Sequence, residues 1–104
     1  MSHQATKISI VTEKLNEPQI EQLIEQAGAK GYTVFEGSGK GSHGVRAGSR
    51  PSVVGAFALV KIEVIVADRE TADAIVEQVA STYFNNYSGI VYTEAVEILR
   101  LEKF

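Results

Sequence analysis

Residues 57–67 read FALVKIEVIVA, and this stretch decides the fold. Ala58, Val60, Ile62, Val64 and Val66 recur at every second position, which gives one continuous apolar face to an extended strand. The opposite face carries Phe57, Leu59, Ile65 and Ala67, interrupted by Lys61 and Glu63. A sheet face that meets water is expected to be polar. Both faces here are substantially apolar, so the second one is expected to meet another protein surface.

Downstream, Asp68 is placed to cap a helix running to about residue 84. Ala72, Ile75, Val76, Val79 and Tyr83 form its apolar stripe. Asn85, Asn86 and Gly89 mark a turn, and residues 90–99, IVYTEAVEIL, form a last strand. There Val91, Ala95 and Leu99 oppose Ile90, Tyr92, Val96 and Ile98.

Upstream, residues 6–13, TKISIVTE, alternate as a first strand. Asn16 reads as a helix N-cap, with Gln19 as its capping-box partner and Pro18 in the first turn. Ile20, Leu23, Ile24 and Ala27 give that helix one stripe, and Gly28 and Gly31 are stop signals. Residues 32–36, YTVFE, form a second strand.

The order is β-α-β-β-α-β, an α+β ferredoxin-like arrangement in a single domain spanning residues 1–104. With two apolar sheet faces, a homo-oligomer of closed rotational symmetry is expected.

The bulk composition narrows the chemistry. The formal net charge is -3, with 44% hydrophobic and 22% charged residues, ordinary values for a soluble domain. Net acidity argues against nucleic-acid binding, which needs a basic face. No cysteine is present, which excludes disulfides and thiolate metal sites. The opening MSHQATK lacks an apolar core, and no apolar run is long enough to span a membrane. A cytoplasmic protein is the expectation.

Between the second and third strands lies GSGKGSHGVRAGSRPSVVG, residues 37–55, with six of the nine glycines. It holds Lys40, Arg46 and Arg50 and no acidic residue. Loops this long without structure of their own are functional or disordered. Gly39 to Gly44 match Gly-x-Gly-x-x-Gly, but Gly48 and Pro51 preclude the helix a dinucleotide fingerprint requires. A P-loop fails on spacing. Two readings remain. Glycine N–H groups turned inward form an anion nest, with Lys40, Arg46 and Ser42 completing a phosphate site. Alternatively the loop is a flexible surface segment whose basic residues are incidental.

Enzyme chemistry finds little support. His3 lies near the terminus, and His43 has no carboxylate partner near it in sequence. Two histidines without cysteine make a poor metal set.

With these elements in order, the chain resembles the PII-type signalling proteins over nearly its whole length. The carrying motifs are GYTV at 31–34 leading into the glycine loop, VKIE at 60–63, Gly89 before the last strand, and EILR at 97–100. Within that superfamily it is most similar to the SbtB-like branch, which accompanies bicarbonate uptake, and to the carboxysome-associated PII-like proteins. Shared features are VTEK at 11–14, GAKGYTV at 28–34, GKGS with VR at 39–46, and YFN-Y-GI-Y at 83–92.

The resemblance implies homotrimers of ferredoxin-like subunits that bind an adenine nucleotide in clefts between neighbours. A loop after the second strand, the T-loop of the family, would sense ligand and engage partners. Carried onto this chain, Gly31 and Thr33 would contribute to the base pocket, with Glu63 and Ile65 bordering base or ribose. Gly39, Lys40, Gly41, Ser42 and Arg46 would hold phosphate. Gly89 and Ile90 would close the cleft, and Arg100 would add a phosphate contact. Classical members carry a lysine where Ile90 stands. One cation fewer favours AMP, ADP or cyclic AMP over ATP. The uridylylated loop tyrosine and the cysteine-bearing tail of other members are both missing.

The expected function is therefore non-enzymatic sensing of an adenine nucleotide together with bicarbonate. The expected partner is a bicarbonate transporter or a carboxysome-related protein, which would place the chain at a membrane transporter or a carboxysome. The alternative is a metal-tolerance-type trimer of the same architecture.

Overall fold

The computed structural model describes residues 2–38, 40–41, 44–45, 59–83 and 89–104. Strands β1 (His3–Glu13), β2 (Thr33–Gly37), β5 (Leu59–Val66) and β6 (Gly89–Ile98) form one sheet in the order β2-β5-β1-β6. Every pairing in it is antiparallel. Helices α1 (Glu17–Gln26) and α2 (Arg69–Tyr83) complete the β-α-β-β-α-β order. The two shortest strands, β3 (Lys40–Gly41) and β4 (Gly44–Val45), pair with each other as a separate ribbon. The segment between β2 and β5 was expected to lack regular structure, and this ribbon corrects that reading locally. Backbone pairing of Lys40 with Val45 and of Gly41 with Gly44 satisfies peptide groups there.

The alternation holds over Leu59–Val66, while Phe57 and Ala58 lie outside the described residues. Val60, Ile62, Val64 and Val66 are buried, and they join Ile8 and Ile10 of β1 against both helices. Ile20 and Ile24 of α1, and Ala72, Ile75 and Val79 of α2, close that core. Leu23, Ala27, Val76 and Tyr83 pack at its margin as their stripes predict.

The helix ends show local chemistry and its limits. Asp68 caps α2 as expected. Its Oδ2 accepts from the Thr71 amide at 3.1 Å and from the Thr71 hydroxyl at 2.8 Å. Two hydrogen bonds to the ionised form hold this carboxyl below the ordinary aspartate range. Gly28 ends α1 at φ 106°, where a side chain would be strained. Ala29 N–H donates to the Ile24 carbonyl and Gly28 N–H to the Glu25 carbonyl, each at 3.1 Å, the Schellman pattern.

The capping box at Asn16 does not form. Asn16 ends a 3-10 turn (Lys14–Asn16), sits in helical conformation and makes no side-chain cap. Its buried amide instead donates to the Thr12 hydroxyl at 3.1 Å. A buried amide needs a partner, and Thr12 on β1 is the one in reach.

On the face of the sheet away from the helices, the interruption at Lys61 and Glu63 read from the sequence is joined by charges from β1 and β6. Lys7 pairs with Glu94 at 3.1 Å and with Glu63 at 3.9 Å, and Lys61 pairs with Glu63 at 3.1 Å. Phe35, Ile90 and Tyr92 stay largely exposed on the same face.

Replacing fully buried Ile62 by alanine should cost about 2–5 kcal/mol in denaturant unfolding, while exposed Glu77→Ala should stay within about 0.5 kcal/mol. Asp68→Ala should lower the melting temperature at pH 7. The lowered Asp68 pKa means this stabilisation is present above the unfolded aspartate range and lost as pH falls through the folded value. The melting temperatures of the two proteins should therefore converge on acidification. A difference unchanged at pH 3 would contradict the cap.

Candidate functional site

A cavity of about 150 Å³ opens at the start of β2. Gly31, Tyr32 and Thr33 form one wall, Glu63 and Ile65 of β5 form a second, and Lys103 and Phe104 form a third. The register explains the first two. Thr33 pairs with Glu63, and side chains of paired residues share a face, so Glu63 and Ile65 rise beside the β2 entry. Odd-numbered β5 residues point away from the helices, and the cavity therefore lies on the sheet face opposite α1 and α2.

Glu63 links this cavity to the charged network. Its side chain is 23% exposed and lies between Lys61 and Lys7. Lys61 is held protonated above its ordinary range, first by its hydrogen bond with Glu63 and then by the nearby Tyr92. Lys61 also stands 5.8 Å from the Phe35 ring centroid, within cation-π range. The Ser9 hydroxyl, on the strand between Glu63 and Tyr92, is buried with no hydrogen-bond partner among the described residues.

Tyr32 is packed at the core margin. Burial raises its phenol pKa, and the charges of Glu21 and Glu25 on α1 add to the effect. Glu21 in turn is raised, chiefly by a hydrogen bond with Glu17. The far end of β2 is tied down as well. Lys14 Nζ donates to Glu36 Oε2, which fastens the point where the glycine-rich segment departs to the turn after β1.

The third wall is not legible in the sequence, where residues 100–104 read as a short tail. They form a 3-10 turn (Leu101–Lys103), and Lys103 and Phe104 line the cavity. A wider cavity of about 460 Å³ lies on the other side of that turn, bounded by Glu97, Ile98, Leu99, Arg100, Lys103 and Phe104.

The sequence-predicted site residues fall in five places. Gly31, Thr33, Glu63 and Ile65 converge on one cavity. Arg100 lines the neighbouring one and pairs with Glu102 at 3.7 Å. Gly89 and Ile90 pair with Thr12 and Val11 of β1, so β1 separates them from β5 and a single chain does not bring them to the cavity. Lys40 and Gly41 belong to the ribbon, whereas Gly39, Ser42 and Arg46 lie outside the described residues. No group of three or more His, Asp or Glu side chains converges on a possible metal site among the described residues. None of the described helices is long and apolar enough to cross a membrane.

The sheet order, two helices on one face and a cleft at the β2 entry define a class. The profile of the family described as nitrogen regulatory protein P-II matches residues 5–103, and the chain belongs to that family. It is a PII-like signalling protein. Among solved structures, it is similar to CPII, a nitrogen regulatory PII-like protein from Thiomonas intermedia K12, in a form bound to ADP, AMP and bicarbonate. The identity is 30%, the TM-score 0.85, and the match covers 100% of this chain and 96% of that one. CPII from the same organism bound to ADP and bicarbonate matches at 28% identity and TM-score 0.84, covering 100% and 97%. A PII-like signalling protein from Thermus thermophilus matches at 28% identity and TM-score 0.79, covering 98% and 96%.

Tyrosine ionisation followed by ultraviolet absorbance tests the environment at the first wall. Tyr32→Phe should remove a component that titrates above pH 10. Loss of a component titrating at or below that value would contradict the burial of this phenol.

Proposed function

We propose that this chain is a non-enzymatic sensor that binds an adenine nucleotide, AMP or ADP in preference to ATP, in clefts between the subunits of a homotrimer. The observation that carries the reading is the convergence of Gly31, Thr33, Glu63 and Ile65 on one cavity, the four residues the family resemblance assigns to base and ribose. Two further features support it. The cavity holds about 150 Å³, below the roughly 300–1,000 Å³ typical of small-molecule pockets. A second subunit would supply the missing walls, with its Gly89 and Ile90 as candidates. The sheet face that carries the cavity also bears a half-buried charge network beside exposed Phe35, Ile90 and Tyr92. Covering such a face removes apolar surface from water.

In this reading Gly39, Lys40, Gly41, Ser42 and Arg46 hold phosphate, Arg100 adds a further contact, and nucleotide binding orders the segment between β2 and β5. The CPII structures contain ADP, AMP and bicarbonate, which supports testing the same three here. Ordering that segment would change affinity for a partner because the ligand favours one loop state over another. Control of inorganic-carbon uptake, through a bicarbonate transporter or a carboxysome-related protein, is the role we assign to that switch, and the cytoplasm is its location.

Calorimetry with AMP, ADP, ATP and cyclic AMP, each with and without bicarbonate, tests the proposal, with light scattering to give the subunit number. Binding of at least one adenylate to a trimer is expected, and Arg46→Ala should weaken the phosphate-bearing ligands about tenfold or more while the trimer persists. A monomer, or no heat with any of the four, would refute it.

A further inference from the structure

The turn that carries Lys103 and Phe104 separates the two cavities, because both residues line both of them. Its polar contacts are few. Its backbone bonds, Lys103 N–H to the Arg100 carbonyl and Phe104 N–H to the Leu101 carbonyl, are both internal at 3.0 Å. The Arg100–Glu102 ion pair at 3.7 Å is also internal. Leu99 and Leu101 are exposed, so neither anchors the turn in the core. Among the described residues, one hydrogen bond joins it to another part of the chain. Lys30 Nζ donates to the Glu102 carbonyl at 3.1 Å. Lys30 directly precedes Gly31, which begins the opposite wall of the cavity.

We propose that Lys30 is a positioning residue of this site: its ammonium clasps the Leu101–Lys103 turn to the Gly31–Thr33 segment and so sets the width of the cavity between them. The inference rests on the nucleotide reading above for its ligand, but not for its geometry. A lysine suits the task because its long stem spans from one wall to the other, and its head needs only a single acceptor. A clasp of this kind acts on whatever part of the ligand lies between the walls. It does not discriminate by phosphate number.

Three proteins test it: the full chain, Lys30→Ala and Lys30→Arg. Amide hydrogen exchange without ligand is the first measurement. The Lys103 and Phe104 amides should exchange several-fold faster in Lys30→Ala and near the original rate in Lys30→Arg, which still offers a donor. Calorimetry is the second. Lys30→Ala should weaken adenosine and ADP by the same factor, about three- to tenfold, the range one hydrogen bond supplies. Lys30→Arg should recover most of it. Unchanged exchange would overturn the clasp. A loss on ADP without a loss on adenosine would overturn it too, since Lys30 would then be touching phosphate. If the unaltered protein binds neither compound, the nucleotide reading fails, and the exchange rates still decide whether Lys30 holds the turn.

Discussion

The alternation along β5 is the constraint on which the rest of the structure depends. Val60, Ile62, Val64 and Val66 must all point to the helices, because each is almost wholly buried there. Period-two geometry then sends Lys61, Glu63 and Ile65 to the other face. A slip of one residue would put two charges in the core and four aliphatic side chains outside it. Register is therefore fixed by the cost of burying charge, and the cavity inherits its composition from that choice. Glu63 and Ile65 line it because their neighbours on the strand are needed elsewhere.

That same choice creates a difficulty which the structure resolves locally. Three charged side chains, Lys7, Lys61 and Glu63, stand close together, each partly removed from water, in the middle of the sheet face opposite the helices. A charge removed from water is tolerated when paired. Cross-strand register brings Lys7 to Ile65 and Glu94, and Ser9 to Glu63, so the lysines flank the Glu63 carboxylate from two directions. The pairing holds the Glu63 side chain in place at the cavity edge. It also gives the face a polar centre, with Phe35, Ile90 and Tyr92 exposed around it.

Local sequence signals were sufficient wherever the interaction itself is local. The β5 parity, the stripes of α1 and α2, the Asp68 cap three residues from Thr71 and the Gly28 stop could all be read directly. Asn16 could not, because it adopts helical backbone at the end of the 3-10 turn instead of the extended conformation of a cap, and only the packed structure shows Thr12 within reach of its side-chain N–H. The charge network was missed for a related reason. One strand shows Lys61 and Glu63, but Lys7 and Glu94 arrive from two other strands. The third cavity wall lay furthest from view, since Lys30 and Glu102 are separated by 72 residues. The short tail carried only one hint, a basic and an aromatic residue side by side at Lys103 and Phe104. Of the residues assigned to the site by resemblance, Gly31, Thr33, Glu63 and Ile65 come together in one chain, while Gly89 and Ile90 lie on β6, with β1 between them and β5.

A crystal structure of the protein grown with ADP and bicarbonate is the most direct measurement. An adenine ring seated among Gly31, Thr33 and Ile65, with its ribose beside Glu63 and a neighbouring subunit closing the cleft, is the expected result. Adenylate bound elsewhere on the molecule, or an empty cleft at saturating ADP, would contradict the assignment of this cavity as the sensing site.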